Sequence, residues 1–184
     1  MRRCEKLDFL EKGGGICYEL VGMKFEPPDS HYLNAAQGWL GLGDHVEASA
    51  ELDLIGPALQ NRPEVLEARW QVHAKKRKWE ECLEVGNALV ASAPKQAQSW
   101  IHRSFALHEL KRTREAFDAL QPALEIFPKE WLIQYNLACY CCRLREHDRA
   151  LRFLEHACKL GDARQIREMA LQDADLQELW ERVA

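Results

Sequence analysis

The feature that most constrains this chain is a period of 34 residues. The strings HVEASAEL, WEECLEVG, TREAFDAL and HDRALRFL place the small residues Ala48, Cys82, Ala116 and Ala150 at that spacing. Twelve residues before each stand Ala36, Trp70, Ser104 and Ala138, and seven after each stand Ile55, Leu89, Ala123 and Ala157. Leu42, Leu110 and Leu144 keep the same step, with Lys76 in the remaining place. Pro94 and Pro128 close two units, and Gln60 and Asp162 hold that phase in the others. Four units follow, at 29–62, 63–96, 97–130 and 131–164. Self-similarity at this length means stacked units that bury their faces against neighbours, not one central core.

Inside a unit the apolar residues follow helical spacing in two blocks. In the third, Trp100, Arg103, Ser104, Leu107 and Leu110 mark one stripe, Lys111, Arg112 and Thr113 a turn, and Ala116, Phe117, Leu120, Ala123 and Leu124 a second stripe. Each unit therefore reads as an antiparallel helix pair, small residues allowing close approach and a proline ending the second helix. The chain is expected to be all-α. A 34-residue helix-turn-helix of this pattern resembles the tetratricopeptide repeat (TPR), and SWIHRSFALHELKRTREAFDALQPALEIFP and YNLACYCCRLREHDRALRFLEHACKL match it best. Units two to four look most like bacterial TPR proteins of unassigned function. The resemblance implies a right-handed superhelix, an α-solenoid of about four repeats over 29–162. It also implies that first helices line a concave groove that binds a protein or peptide.

Departures from the pattern carry expectations of their own. Trp70 stands where the family has a small residue and Gly86 where it has a large one, so the indole is expected to fill the space that Gly86 leaves. Pro57 and Pro122 fall within second helices and should kink or end them, since proline lacks the N–H and crowds the preceding turn. Residues 163–184 read as capping helices over the last repeat, with Asp173 the N-cap of a short helix through Leu176, Leu179 and Trp180. Residues 1–28 could form two short helices around Gly13, Gly14 and Gly15, acting as the other cap, a mobile tail or a filling of the groove in cis.

Several function classes are disfavoured. No window approaches the ~18 apolar residues of a spanning helix. With 25 basic and 29 acidic residues, the net charge of -4 offers no general field for nucleic acid. The run Lys75, Lys76, Arg77 and Lys78 falls at a turn and is followed by Glu80 and Glu81, which suits a solvated turn. Seven cysteines lack the layout of a secreted disulfide framework, and Glu5, Asp8 and Glu11 interrupt any leader, which points to reduced thiols in the cytoplasm. The glycine triplet has no Gly-Lys-Ser/Thr after it, and neither a nucleophile elbow nor H-E-x-x-H occurs, so no catalytic role and no cofactor is expected.

By phase, the groove is expected to present Asn34, Gln37, Gln71, Lys75, His102, Phe105, His108, Tyr135, Asn136 and Arg143. The amides suit an extended peptide backbone, and Phe105 and Tyr135 would be rigid apolar anchors. Co-chaperone TPR domains hold C-terminal carboxylates with a Lys, Asn and Arg clamp. The matching places here carry Leu33, Gln37, Ala68, Gln98 and His102, so a chaperone C-terminus is not the expected partner. The alternative is a metal- or thiol-active protein using Cys139, Cys142 and His108, two thiolates and an imidazole being zinc-ligand chemistry.

Overall fold

The computed structural model describes residues 25–183, and among these there are helices and no strand. The readings made for residues 1–24 lie outside that range. First helices are α1 (Asp29–Gly41), α3 (Pro63–Lys75), α5 (Ala97–Glu109) and α8 (Trp131–Arg143). Second helices are α2 (His45–Leu54), α4 (Trp79–Ser92), α6 (Thr113–Leu120) with its short continuation α7 (Ala123–Ile126), and α9 (His147–Leu160). Then come α10 (Ala163–Ala170), a 3-10 segment Ala174–Leu179 and α11 (Trp180–Val183). Each first helix packs on its own second helix, and the pairs stack in chain order. The arrangement is an α-solenoid.

The turn inside each pair is built the same way four times. Gly43, Arg77, Lys111 and Arg145 all take positive φ, 82°, 55°, 65° and 62°. In each turn this residue donates its N–H to the carbonyl three back, and the next residue donates to the carbonyl five back, at 2.9–3.0 Å. These bonds satisfy carbonyls that the ending helix leaves open, and the left-handed residue is what lets the chain reverse. Only the first turn has the glycine that this backbone favours.

The recurring positions, small in all but Trp70, are the contact line between helices. Ala36, Trp70, Ser104, Ala138, Ala48, Cys82, Ala116 and Ala150 are all fully buried. Buried side chains fall into two clusters. Leu33, Ala36, Ala48, Leu52 and Ile55 join Val65, Ala68 and Val72 at the N-terminal end. Leu66, Trp70 and Ala74, on the other side of α3, join a cluster that runs through repeats three and four to Leu176 and Leu179. The third helix is thus the seam.

Proline acts as its chemistry requires. Helix α2 stops at Leu54 and Pro57 opens a 3-10 turn to Leu59, while α6 stops at Leu120 and Pro122 stands before α7. Near that break Arg103 donates from Nη2 to the Ala119 carbonyl at 2.9 Å. Where proline is missing, at Gln60, the side-chain amide donates to the Ile55 and Leu52 carbonyls at 2.6 and 3.1 Å, and its oxygen accepts from Arg69 at 2.6 Å.

The expected exchange of volume between Trp70 and Gly86 is corrected. A Cβ at position 86 would lie 2.9 Å from the Arg103 Cα and 3.1 Å from its nitrogen. The missing side chain therefore makes room for the backbone of α5 in the next repeat, a close approach only glycine permits. Trp70 instead stacks on the His102 ring, centroids 3.7 Å apart.

Candidate peptide-binding groove

The concave wall, built from α1, α3, α5 and α8, has two halves of different character. In the N-terminal half Asn34 and Gln37 are exposed on α1, and Gln71 and Lys75 are half-buried on α3. A methyl group at Gly38 or Gly41 would meet nothing within 4 Å, so this face of α1 is open. Neutral amides with one ammonium group offer both donors and acceptors, which an extended main chain can use.

The other half is closed, which corrects the groove positions read from phase. His102, Phe105, His108, Tyr135 and Asn136 are buried, at 4% exposure or less. Phe105 meets Trp70 and Trp79 edge-on, centroids 6.3 and 5.7 Å apart, so it is part of the contact between repeats two and three. His102 belongs to the same contact: its Nε2 lies 2.6 Å from Glu67 Oε1, a carboxylate reaching across from α3. Asn136 turns its Nδ2 back to the Leu132 carbonyl of its own helix, 2.8 Å away. Arg143 remains exposed at the rim.

What covers α8 is the chain's own C-terminal segment. Tyr135 Oη donates to Asp173 Oδ2 at 3.0 Å, and Cys139 Sγ donates to the same oxygen at 3.4 Å. His108 Nε2 lies 3.1 Å from Asp175 Oδ2, and Arg143 Nε lies 3.8 Å from Asp175 Oδ1. His147 Nε2 lies 2.7 Å from Glu178 Oε2. Between these contacts Leu176 and Leu179 are fully buried. Asp173 also caps the 3-10 segment, accepting from the Asp175 N–H at 3.0 Å. Phase analysis of the repeats missed these acids because they lie beyond the last full period. The signal available was the pattern of acids around Leu176 and Leu179 after an N-cap aspartate.

Among the described thiols, Cys82, Cys141 and Cys142 are buried in the packing between helices. Burial pushes Cys82 up to about 12, and burial, with help from Glu178 and Asp175, pushes Cys142 up to about 11. Cys141, above Glu146, is raised to about 11 by burial. Such groups stay protonated at neutral pH and are poor nucleophiles and poor metal ligands. His108 is already bonded to Thr113 Oγ1 at 3.1 Å as well as to Asp175. Among the described residues no group of three or more His, Cys, Asp or Glu is gathered as a metal ion would need. Among them, too, no helix is long and apolar enough to cross a membrane.

No family model matches the chain, and no curated protein matches it. Solved structures do. A thermophilic TPR protein of Thermus thermophilus superposes with a TM-score of 0.66 at 22% identity, over 85% of this chain and 83% of that one. MamA from Desulfovibrio magneticus gives 0.63 at 21% identity, over 72% and 75%. The Cut9–Hcn1 hetero-tetramer of the APC/C gives 0.65 at 17% identity, over 83% of this chain and 29% of that one. With the repeated turns, the 34-residue spacing of helix starts and these superpositions together, the chain has the fold of a tetratricopeptide-repeat protein.

Proposed function

We propose that this protein is a non-catalytic scaffold that holds a segment of a partner protein against the open half of its concave wall. The observation that carries this reading is the exposed face of α1 with Asn34 and Gln37, continued on the next first helix by the half-buried Gln71. Amide side chains pair with the main chain of an extended segment. A chaperone-type clamp does not suit this wall, since Leu33 and Ala68 at two of its places are buried in the N-terminal cluster. Nucleic acid is disfavoured by the net charge of -4.

The test is affinity capture from the source cell with the wild-type chain and with the Asn34→Ala, Gln37→Ala, Gln71→Ala triple variant. These side chains carry no share of either core cluster, so both proteins should melt alike. A partner enriched by the wild type and lost by the variant is expected. Identical captures from both proteins would remove the open half from the binding surface.

A further inference from the structure

We propose that residues 173–179 are a tethered occupant of the closed half of the wall, and that the surface beneath them receives an acidic segment of the same pattern from a partner protein. That pattern is Asp-x-Asp followed at once by leucine, with a second leucine three residues later. The inference rests on the reading of the concave wall as peptide-receiving.

Recognition by side chains runs in one direction. Donors belong to the wall helices, His108 on α5 and Tyr135, Cys139 and Arg143 on α8, with His147 added from the neighbouring α9. Acceptors belong to the segment, which carries Asp173, Asp175 and Glu178 and no basic residue. Asp173 Oδ2 is shared by Tyr135 and Cys139, and Asp175 uses one oxygen for His108 and faces Arg143 with the other. Two carboxylates one residue apart are therefore each read by a separate pair of side chains. Leu176 and Leu179, fully buried, supply the apolar contact that fixes the segment's depth. This is the composition of a peptide site: a few convergent polar groups that set register, around an apolar anchor.

The segment is also built to be exchangeable. It follows α10 after a two-residue turn at Leu171 and Gln172, and Leu171 is exposed. Its main chain bonds locally, Asp173 N–H to the Ala170 carbonyl at 3.3 Å and Leu176 N–H to the Asp173 carbonyl at 3.0 Å, and Trp180 just past it donates from Nε1 to the Ala170 carbonyl at 3.0 Å. Apart from the Glu178 main chain, which bonds to Cys142, its contacts with the wall are made by side chains that another segment of the same pattern could bring. A short tether holds it at an effective concentration of the order of millimolar. A partner segment must outcompete that, so the closed half responds to a strong ligand and excludes weak ones.

The experiment measures fluorescence anisotropy of a labelled peptide spanning residues 172–183, titrated with the full-length chain. Asp173→Asn with Asp175→Asn weakens the tethered copy while Asn keeps the capping oxygen. This variant should bind the peptide at least tenfold tighter than the wild type, and adding His108→Ala should remove the gain. Equal affinity of variant and wild type would overturn the proposal, as would equal binding of a peptide whose two aspartates are asparagines. If the double variant fails to fold, a ten-residue Gly-Ser insertion after Gln172 lowers the effective concentration with every contact kept. Peptide affinity should then rise about tenfold, and no rise again overturns the proposal. A concentration-dependent dimer that the same insertion abolishes would assign the site to a second copy of this chain and overturn the partner. The Asn34, Gln37 and Gln71 variant should leave peptide binding unchanged, so failure here and failure of the open-half reading are separate results.

Discussion

Gly86→Ala tests the packing between repeats two and three. On a helix, alanine in place of glycine is worth about 1 kcal/mol from the backbone alone. At position 86 the new Cβ would sit 2.9 Å from the Arg103 Cα, 3.1 Å from its nitrogen and 3.2 Å from its Cβ. Ordinary carbon contacts lie at about 3.5–4.0 Å, so α4 and α5 would have to part by roughly 0.6–1.1 Å. Two of the three contacted atoms are backbone, which cannot rotate away as a side chain can. Overpacking of this kind costs about 1–3 kcal/mol, and a backbone obstacle belongs in the upper half of that range. The net expectation is a destabilisation of about 1–2 kcal/mol, or a melting temperature lower by about 2–8 °C. Gly38→Ala is the control, because a Cβ there meets nothing within 4 Å and the helix gain stands alone. Its melting temperature should rise by about 1–4 °C. The two variants are compared with wild type by urea and thermal unfolding followed through tryptophan fluorescence. If Gly86→Ala melts at or above wild type, the close approach of α5 is not what glycine serves there, and the reasoning fails.

Other perturbations separate turn, charge and burial. Lys111→Gly relieves a left-handed residue that costs an L side chain about 1–2 kcal/mol, against an entropy loss for glycine of about 0.5–1. A net gain of about 0.5–1 kcal/mol is expected, with Gly43→Ala moving the other way; a lower melting temperature for Lys111→Gly would refute the shared turn. The Glu146 carboxyl is held below its usual value of 4.5 by hydrogen bonds from Arg114 and then Arg149. A lowered carboxyl contributes stability that is present above about pH 4.5 and is lost as pH falls through its folded value. Arg114→Ala should thus be less stable than wild type at about pH 7. In urea titrations that gap should close towards about pH 3, and a gap unchanged by acid would rule the ion pair out as its source. Iodoacetamide at mildly alkaline pH should label Cys158, which is half-buried, before Cys82, Cys141 or Cys142; peptide mass spectrometry showing Cys142 modified as fast as Cys158 would contradict its burial.

The period made the helix pairs legible because it is written in small residues, and small residues are what a close helix contact demands. Ala48, Cys82, Ala116 and Ala150 differ in chemistry yet share size, and all are fully buried. The shared turn was hidden for the opposite reason. Its backbone recurs at Gly43, Arg77, Lys111 and Arg145, but the hydrogen bonds that hold a left-handed residue involve main chain only, so side-chain identity carries almost no trace of it. Exposure along the first helices was legible only in part. Phase tells which side of a first helix faces the concave wall, and Asn34 and Gln37 do lie exposed there. Phase says nothing of what lies over that wall. Tyr135 and Cys139 are beneath Asp173, 38 and 34 residues away, and His108 is beneath Asp175, 67 residues away. Such contacts depend on how the chain returns after its last repeat, which no periodic pattern encodes.

The seam at α3 connects stability to binding. The N-terminal cluster is closed largely by Leu33, Ala36, Ala48, Leu52 and Ile55, two of them alanines. Repeats three and four share a cluster with Tyr135, Tyr140, Phe117, Leu137 and the C-terminal leucines. In a stacked array each repeat is stabilised by itself and its neighbours, so the end with the smaller apolar contact among the described residues is expected to open at lower free energy. Trp39, Leu42, Val46 and Leu54 are exposed on α1, its turn and α2, which adds apolar surface that folding has not removed from water. Amide exchange followed by mass spectrometry should therefore show α1 and α2 exchanging before α8 and α9. The open half of the wall stands on this weaker end, so a ligand there does more than occupy it. At about one hundred times its dissociation constant a ligand adds about 2.7 kcal/mol to the state that binds it. Under the proposed binding mode, that increment should appear as slowed exchange in α1, α2 and α3 and leave α8 and α9 as they were. Exchange in α1 as slow as in α8 without ligand would refute the division at α3, and protection confined to α8 and α9 with ligand would place binding in the closed half instead.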